Sequence, residues 1–283
     1  MRTVEHFDAM GTWVEVRADS PVGHATVRAD FDVAESCFSR FRDSSELSRM
    51  NASPAAQVEL SHLLAAVMTT SHELVQRTNG LVDPAVGGRV IDWGYDRTFS
   101  ELGEVAAVPE AEYRPAEWSL AGNLIERAPG TRFDLGGIAK GWTADRAVEA
   151  GHAAVVSAGG DIASSDPSTT AEVLDPWGEV AAHLQLGVGG LATSSVGRRR
   201  WTAAGGPAHH IIDPRTGSPA ATPILSATVV AASAAEAEAG AKAVLILGEG
   251  GLAWAARQAW IRSAVVVWHD GNVFATPGVE LAA

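Results

Sequence analysis

Phe133-Asp134-Leu135-Gly136-Gly137-Ile138-Ala139-Lys140-Gly141-Trp142-Thr143-Ala144-Asp145-Arg146 runs from an acidic residue at a strand end, through two glycines, to a lysine and a third glycine that open a helix. Glycine lets a backbone approach a ligand closely, and the first turn of a helix offers unbonded N–H groups to an anion. Lys140 adds a mobile positive charge and Asp134 an oxygen acceptor. Phosphate, or a phosphate-bearing cofactor, is the natural guest. The competing reading is a tight strand-to-helix turn with a surface lysine, and taken alone the segment favours that turn.

The surroundings of this stretch set the limits. A chain of 283 residues with 46% hydrophobic and 19% charged residues can bury a full core. No apolar run approaches a membrane span, the strongest being Ala243-Val244-Leu245-Ile246-Leu247. The first residues, Met1-Arg2-Thr3-Val4-Glu5-His6-Phe7-Asp8, lack the apolar core of a secretory signal, so a cytoplasmic location without membrane insertion is the expectation. Cys37 is the only cysteine, which rules out an intramolecular disulfide. A formal charge of -13 argues against nucleic acid as partner, because that binding is largely cationic. A compact phosphate ligand held by local cations and backbone amides remains compatible with it.

Before the stretch, residues 12–17 alternate like a half-buried strand, and residues 22–41 carry a helical stripe through Phe31, Ala34, Cys37, Phe38 and Phe41. Ser44-Ser45-Glu46-Leu47 reads as a cap opening a short helical turn, and residues 60–78 as an amphipathic helix closed by Asn79-Gly80. Residues 81–95 read as loop, and residues 118–133 as two short strands turning at Ala121-Gly122-Asn123. After it, residues 153–157 form an apolar strand ending at Gly159-Gly160-Asp161, and residues 164–177 read as an exposed polar loop. Residues 184–193 and 226–232 read as strands, and residues 234–247 as an alanine-rich helix stopped by Gly248. Residues 264–268 and 273–275 flank His269-Asp270-Gly271-Asn272 as a hairpin. Strands and helices mix without strict βαβ repetition, which favours an α+β class. No repeat or linker divides the chain, so residues 1–283 are expected to form a single domain.

Further segments give the stretch its meaning. They are Met10-Gly11-Thr12, Phe38-Ser39-Arg40-Phe41 with Ser45-Glu46-Leu47-Ser48-Arg49-Met50-Asn51, and Gly80-Leu81-Val82-Asp83-Pro84-Ala85-Val86. Gly159-Gly160-Asp161-Ile162, Ala192-Thr193-Ser194-Ser195 and His209-His210-Ile211-Ile212-Asp213-Pro214-Arg215-Thr216-Gly217 complete the set. In this order they resemble the ApbE family of FAD:protein FMN transferases, from residue 10 to about residue 250. The resemblance implies two interleaved α/β lobes around a central FAD cleft. It implies an enzyme that splits the FAD pyrophosphate, attaches FMN by a phosphoester to a Thr or Ser of an acceptor flavoprotein, and releases AMP, normally with Mg²⁺.

Carried residue by residue, the resemblance assigns His210 to the chemistry, where an imidazole suits deprotonation of an acceptor hydroxyl. It assigns Met10, Phe41, Val82, Asp83, Pro84, Asp134, Lys140, Thr193 and Ile211 to the cofactor. Each has a plainer reading. Met10 and Phe41 serve equally as core, Asp83-Pro84 as a bare turn, and His210 as a buried histidine bonded to Asp213, with His209 as its confounder. Arg198-Arg199-Arg200 is either a solvated turn or a patch that steers an anion.

The metal site is where the chain departs from the family pattern. Relatives carry an aspartate and, four residues on, a threonine on one helix face, with a carbonyl of the Gly-Gly turn. Counting back from Gly248, these positions hold Glu238 and Lys242, leaving Gly137 and Glu238 as the metal residues. Glu238 still offers a carboxylate, but an ammonium has donors only and repels a nearby cation by several kcal/mol. Lys242 therefore blocks the metal, pairs with Glu238 as a surface ion pair, or takes over part of the metal's role. The rival function is an FAD-binding protein of the same fold that has lost Mg-dependent transfer. Cleavage of FAD without protein transfer is a third option.

Overall fold

Strand alternation builds the largest sheet: in Thr12–Ala18 the buried Val14, Val16 and Ala18 alternate with Trp13, Glu15 and Arg17. The computed structural model describes residues 2–102, 112–203 and 206–282. These divide into two compact units, one of residues 1–33, 138–195 and 221–283, the other of residues 34–137 and 196–220. The described helices are α1 (Pro21–Phe38), α2 (Glu46–Ala52), α3 (His62–Arg77), α4 (Gly87–Asp92), α5 (Ala139–Glu149), α6 (Ala234–Leu247) and α7 (Gly251–Ala255).

The first unit holds an eight-stranded sheet in the spatial order Thr3–Ala9, Thr12–Ala18, Val155–Ala158, Asp161–Ser164, Gly189–Ser195, Ile224–Ala231, Ile261–Trp268, Val273–Ala275. Every neighbouring pair is antiparallel, as the α+β reading expects. Helices α5 and α6 cover one face. Gly190 permits this, since a Cβ there would lie 2.0 Å from the Ala234 nitrogen at the start of α6. Gly141 likewise brings α5 against the Ala234–Ala235 backbone. A three-stranded sheet (Thr170–Leu174, Val180–Gln185, Glu280–Leu281) belongs to the same unit. Its Val173, Ala182 and Leu184 pack with Leu191, Val230, Val265 and Val267 of the large sheet.

Two expectations fail in this unit. Residues 164–177 are not an exposed loop: Ser164 and Thr169 are buried and hydroxyl-bonded at 2.8 Å, and Thr170–Leu174 is a strand. That strand exposes Thr170, Glu172 and Leu174, so its outward face supplied the polar signal. Residues 184–193 form two strands rather than one, broken at Leu186-Gly187-Val188, where Gly187 takes φ 62°. The proposed helix at residues 234–247 and the hairpin at residues 264–275 are observed.

The second unit carries α2, α3, α4 and a three-stranded sheet, Gln57–Glu59, Leu124–Arg127 and Trp118–Ala121. Ser45 and Ser61 cap α2 and α3, accepting from the Ser48 and Leu64 N–H groups, and Asn79 and Gly80 close α3 with positive φ. Residues 81–95 were expected to be loop, but Gly87–Asp92 is helical. Gly87-Gly88 hid it, glycine being a poor helix former. Gly87 is required there because a Cβ would lie 2.6–2.8 Å from the backbone of residues 132–134. The buried Arg127 guanidinium, which the sequence did not mark, donates to the carbonyls of Met50, Ser53 and Thr131 and so ties α2 to the sheet.

Candidate functional site

In the second unit the two ends of the opening motif's neighbourhood are held by backbone and side chain together. Asn51 grips Phe133 on both sides, donating to its carbonyl and accepting from its N–H, each at 2.8 Å. The Asp134 N–H donates to the Pro84 carbonyl at 2.8 Å, which lays residues 83–87 along residues 132–134. The Asp134 carboxylate accepts from Arg40 Nε at 2.8 Å and from the Gly136 N–H at 2.7 Å. Burial pushes this carboxyl up, but the Arg40 charge, the Gly136 N–H and the charge of His210 outweigh burial and hold it below the usual carboxylate range. Asp134 and His210 are therefore electrostatic neighbours.

Arg40 lies in the Phe38–Phe41 motif, and its partner Asp134 is 94 residues away, beyond any local signal. Its guanidinium lies over the Phe41 ring at 4.1 Å and the Tyr95 ring at 4.6 Å. Phe41 lies beyond the end of α1 and is 39% exposed, so it does not complete the helical core stripe. It leads a chain of aromatic contacts through Tyr95 to Trp201.

Asp83 Oδ1 accepts from the Ala85 N–H at 2.8 Å and the Trp118 indole at 3.1 Å, and burial raises its carboxyl. The Val82 N–H donates to the Thr78 hydroxyl. The Asp83-Pro84 segment thus has the geometry of a capped turn, with an extended Asp83 at φ -139° leading into a short 3₁₀ turn.

Of the histidine pair, His209 is held within its own segment. His209 Nε2 faces the Ala220 carbonyl at 3.1 Å and its Nδ1 accepts from the Ile211 N–H at 3.3 Å, a neutral structural tautomer. The Asp213 carboxylate accepts from Arg215 Nε and Nη2, at 2.9 and 2.7 Å. Ile211 and Ile212 are buried behind them.

In the first unit, the hairpin turn Met10-Gly11, the turn Gly159-Gly160 and Thr193 gather at one end of the large sheet. Ala9 pairs with Thr12, so Met10 and Gly11 form a two-residue turn with φ 50° and 66°. A Cβ on Gly159 would strike the Thr12 hydroxyl at 2.3 Å, and one on Gly160 would lie 3.9 Å from the Thr193 carbonyl. Met10 packs against the buried cluster that includes Phe7, Val14 and Phe31. The Thr193 hydroxyl meets that of Thr228 at 2.9 Å. Thr193 lies on the opposite side of its strand from Ala192, the residue that pairs with Asp161.

Asp161 belongs to a line of four charges that sequence reading only half found. Lys140 Nζ stands 2.9 Å from Asp161 Oδ2 and 3.3 Å from Glu238 Oε1, and Lys242 Nζ donates to the same Glu238 oxygen at 2.9 Å. The Lys242–Glu238 pair is real, but it is buried rather than on a helix surface. Burial, and then the Glu238 charge, push Asp161 up to about 6. Burial also acts to raise Glu238, but the two ammoniums overcome it and hold Glu238 low. One level back, Asp145 on α5 accepts from the Ala234 and Ala235 N–H groups at 2.7 and 2.9 Å, capping α6 and thereby setting Glu238 and Lys242.

This donor set does not fit a divalent cation. Both accessible positions beside Glu238 Oε1 are taken by ammoniums, and a cation needs oxygen ligands free of such charge. Among the described residues no group of three or more His, Cys, Asp or Glu could hold a metal ion. Among them, too, no helix is long and apolar enough to cross a membrane.

Comparison with known proteins matches the geometry to a family. The ApbE family is matched over residues 10–265. The FAD:protein FMN transferase of Rhodobacter capsulatus is 32% identical over 252 residues, 82% of this chain. The match spans only 48% of that protein's length. The FAD:protein FMN transferase of Salmonella typhimurium is 26% identical over 78% of this chain and 70% of its own. In structure, the ApbE protein of Thermotoga maritima superposes with a TM-score of 0.84 at 24% identity, covering 98% of this chain and 97% of that one. The flavin transferase ApbE of Vibrio cholerae gives 0.78 at 23% identity, covering 98% and 97%. The Rhodobacter and Salmonella relatives are named FAD:protein FMN transferases, and the Thermotoga and Vibrio structures share the fold described above. The chain belongs to the ApbE family.

Proposed function

We propose that this chain transfers FMN from FAD to a Thr or Ser hydroxyl of an acceptor flavoprotein and releases AMP. The acceptor oxygen forms a bond to the FMN phosphorus, the pyrophosphate P–O bond to AMP breaks, and the hydroxyl proton passes to His210. The relatives' shared activity favours transfer over flavin binding alone. The observation that carries the choice of base is the separation of the histidine pair. His209 is committed to Ala220 and Ile211, while His210 lies in the field of the ionised Asp134. A nearby carboxylate favours the protonated imidazole, which is the state reached as the proton arrives.

Around it, Asp134, held by Arg40, fixes the Gly136 N–H, and Phe41 offers an exposed ring face to a flavin or adenine. The family resemblance also assigns Val82, Asp83, Pro84, Ile211, Met10, Thr193 and Lys140 to FAD. Mg²⁺, which the family resemblance implies, has no role in this scheme.

The test incubates the protein with FAD and acceptor polypeptides bearing Thr or Ser. Covalent flavin is read by fluorescence on a denaturing gel, and AMP by chromatography. Label and AMP are expected in equal amounts, with His210→Ala losing both while still binding FAD. Undiminished labelling by His210→Ala removes the assigned base, and bound FAD with neither product across the acceptors moves the chain to a binding protein.

A further inference from the structure

Four charges in a buried line are an expensive arrangement unless each is answered. Here they are answered within the line: Asp161 by Lys140, and Glu238 by Lys140 and Lys242. The two carboxylate side chains are 4% exposed, whereas Lys140 is 14% and Lys242 16% exposed. The cluster therefore turns its cations outward and keeps its anions behind them. Two positive and two negative charges already balance, so a divalent cation entering at Glu238 would have to expel an ammonium. Glu238 Oε2 is buried without a hydrogen-bond partner, while Asp161 Oδ2 is met by the Lys140 ammonium.

We propose that Lys140 and Lys242, backed by Asp161 and Glu238, form a resident pair of cations that binds the diphosphate of FAD directly, so that this chain holds its donor without a divalent metal. The inference rests on the flavin-transfer reading and names how that site meets its substrate's charge. Lysine suits the role as a compact point charge with three donors, able to follow phosphate oxygens without fixed coordination geometry. The carboxylates position the ammoniums. No bond is made or broken in this step.

The full chain is titrated with FAD by flavin fluorescence quenching, in EDTA and again in excess Mg²⁺. Separately, Mn²⁺ is titrated in and the free ion is read by electron paramagnetic resonance. The proposal expects dissociation constants equal within about threefold in EDTA and Mg²⁺, and no stoichiometric Mn²⁺ site. Lys242→Gln keeps the length, removes the charge and introduces an oxygen donor. It is expected to weaken FAD binding in EDTA by about tenfold or more, and to regain affinity when Mg²⁺ is added. A tight Mn²⁺ site in the unaltered protein, or FAD binding that collapses in EDTA, overturns the inference and leaves the flavin-transfer reading standing. Absence of FAD binding under both conditions overturns that reading, and the inference with it. If Lys242→Gln fails to fold, as judged by circular dichroism, the EDTA comparison and the Mn²⁺ titration on the unaltered chain still decide.

Discussion

Arg40 shows how much one side chain can do without any sequence signal of its own. Its side chain is 6% exposed, its charge meets Asp134 at a sequence separation of 94 residues, and two aromatic rings cover its faces. The motif around it was legible because Phe41 is of a type that stacks on ring systems and Asp134 leads into the Gly136-Gly137 turn. Its ion pair was not legible, because only the folded chain brings those residues together. Phe41 illustrates the converse: helical spacing pointed equally to core and ligand, and exposure excludes the core. Removing the guanidinium leaves a buried carboxylate unanswered, so Arg40→Met is expected to destabilise the protein by about 3 kcal/mol at pH 7. Arg40→Lys restores only part of this, lacking the planar fork that stacks on the rings. The sign with pH follows from Asp134, whose carboxyl is held below its ordinary value in the folded state. Its contribution is fully present above the unfolded carboxyl pKa of about 3.9 and is lost as pH falls through the folded value. Urea unfolding at pH 7 and at stepwise lower pH should show the gap between Arg40→Met and the unaltered chain closing below about pH 4. A gap that stays constant would mean that the guanidinium acts by packing alone.

Elements were legible where their own residues carry the instruction. Helix α6 is bounded by a serine that caps and a glycine at φ 58° that stops, and its span was read to the residue. Helix α4 is hidden by its two opening glycines, of which Gly87 answers to a neighbouring backbone rather than to helix propensity. The pair separates these effects. A Cβ at Gly87 meets backbone at 2.6 Å, while one at Gly88 meets nothing within 4 Å. Gly87→Ala should therefore destabilise the chain markedly, and Gly88→Ala should be neutral or stabilise it by up to about 1 kcal/mol in thermal unfolding. Equal losses at both positions would contradict the packing described. The cap on α6 gives a second prediction. Burial pushes the Asp145 carboxyl up to about 7, against the two N–H groups it accepts from. A folded pKa above the unfolded one means the folded state binds more protons, so stability contributed here falls as pH rises from about 4 towards 7. Asp145→Asn cannot ionise. The variant's stability relative to the unaltered chain should thus rise across that window, and a flat difference in paired urea titrations would refute the assignment.

At the scale of the whole chain, the α+β class was legible from the mixture of strand and helix patterns, and the antiparallel pairings agree with it. The division into two units was not, because each is assembled from segments far apart in sequence. The chain passes from one unit to the other after residues 33, 137, 195 and 220, and the first passage falls inside the continuous helix Pro21–Phe38. A helix is cooperative along its length, so melting one end frays the other. We therefore expect the chain to unfold in a single transition, as the single-domain reading of residues 1–283 supposed. The sole cysteine gives the means to test it. Cys37 is buried in the second unit beside Glu46 at 3.3 Å, and burial, with the hydrogen bond and charge of Glu46, pushes its thiol up to about 12. A thiol so protonated is a poor nucleophile, so a disulfide reagent at pH 8 should react with it only in unfolded molecules. Of the nine tryptophans, Trp13, Trp142, Trp177, Trp254, Trp260 and Trp268 lie in the first unit and weight the emission towards it. Thiol reactivity and tryptophan emission followed through one urea titration should give coincident midpoints. Midpoints separated by about 1 M urea or more would mean that the two units unfold independently despite the shared helix.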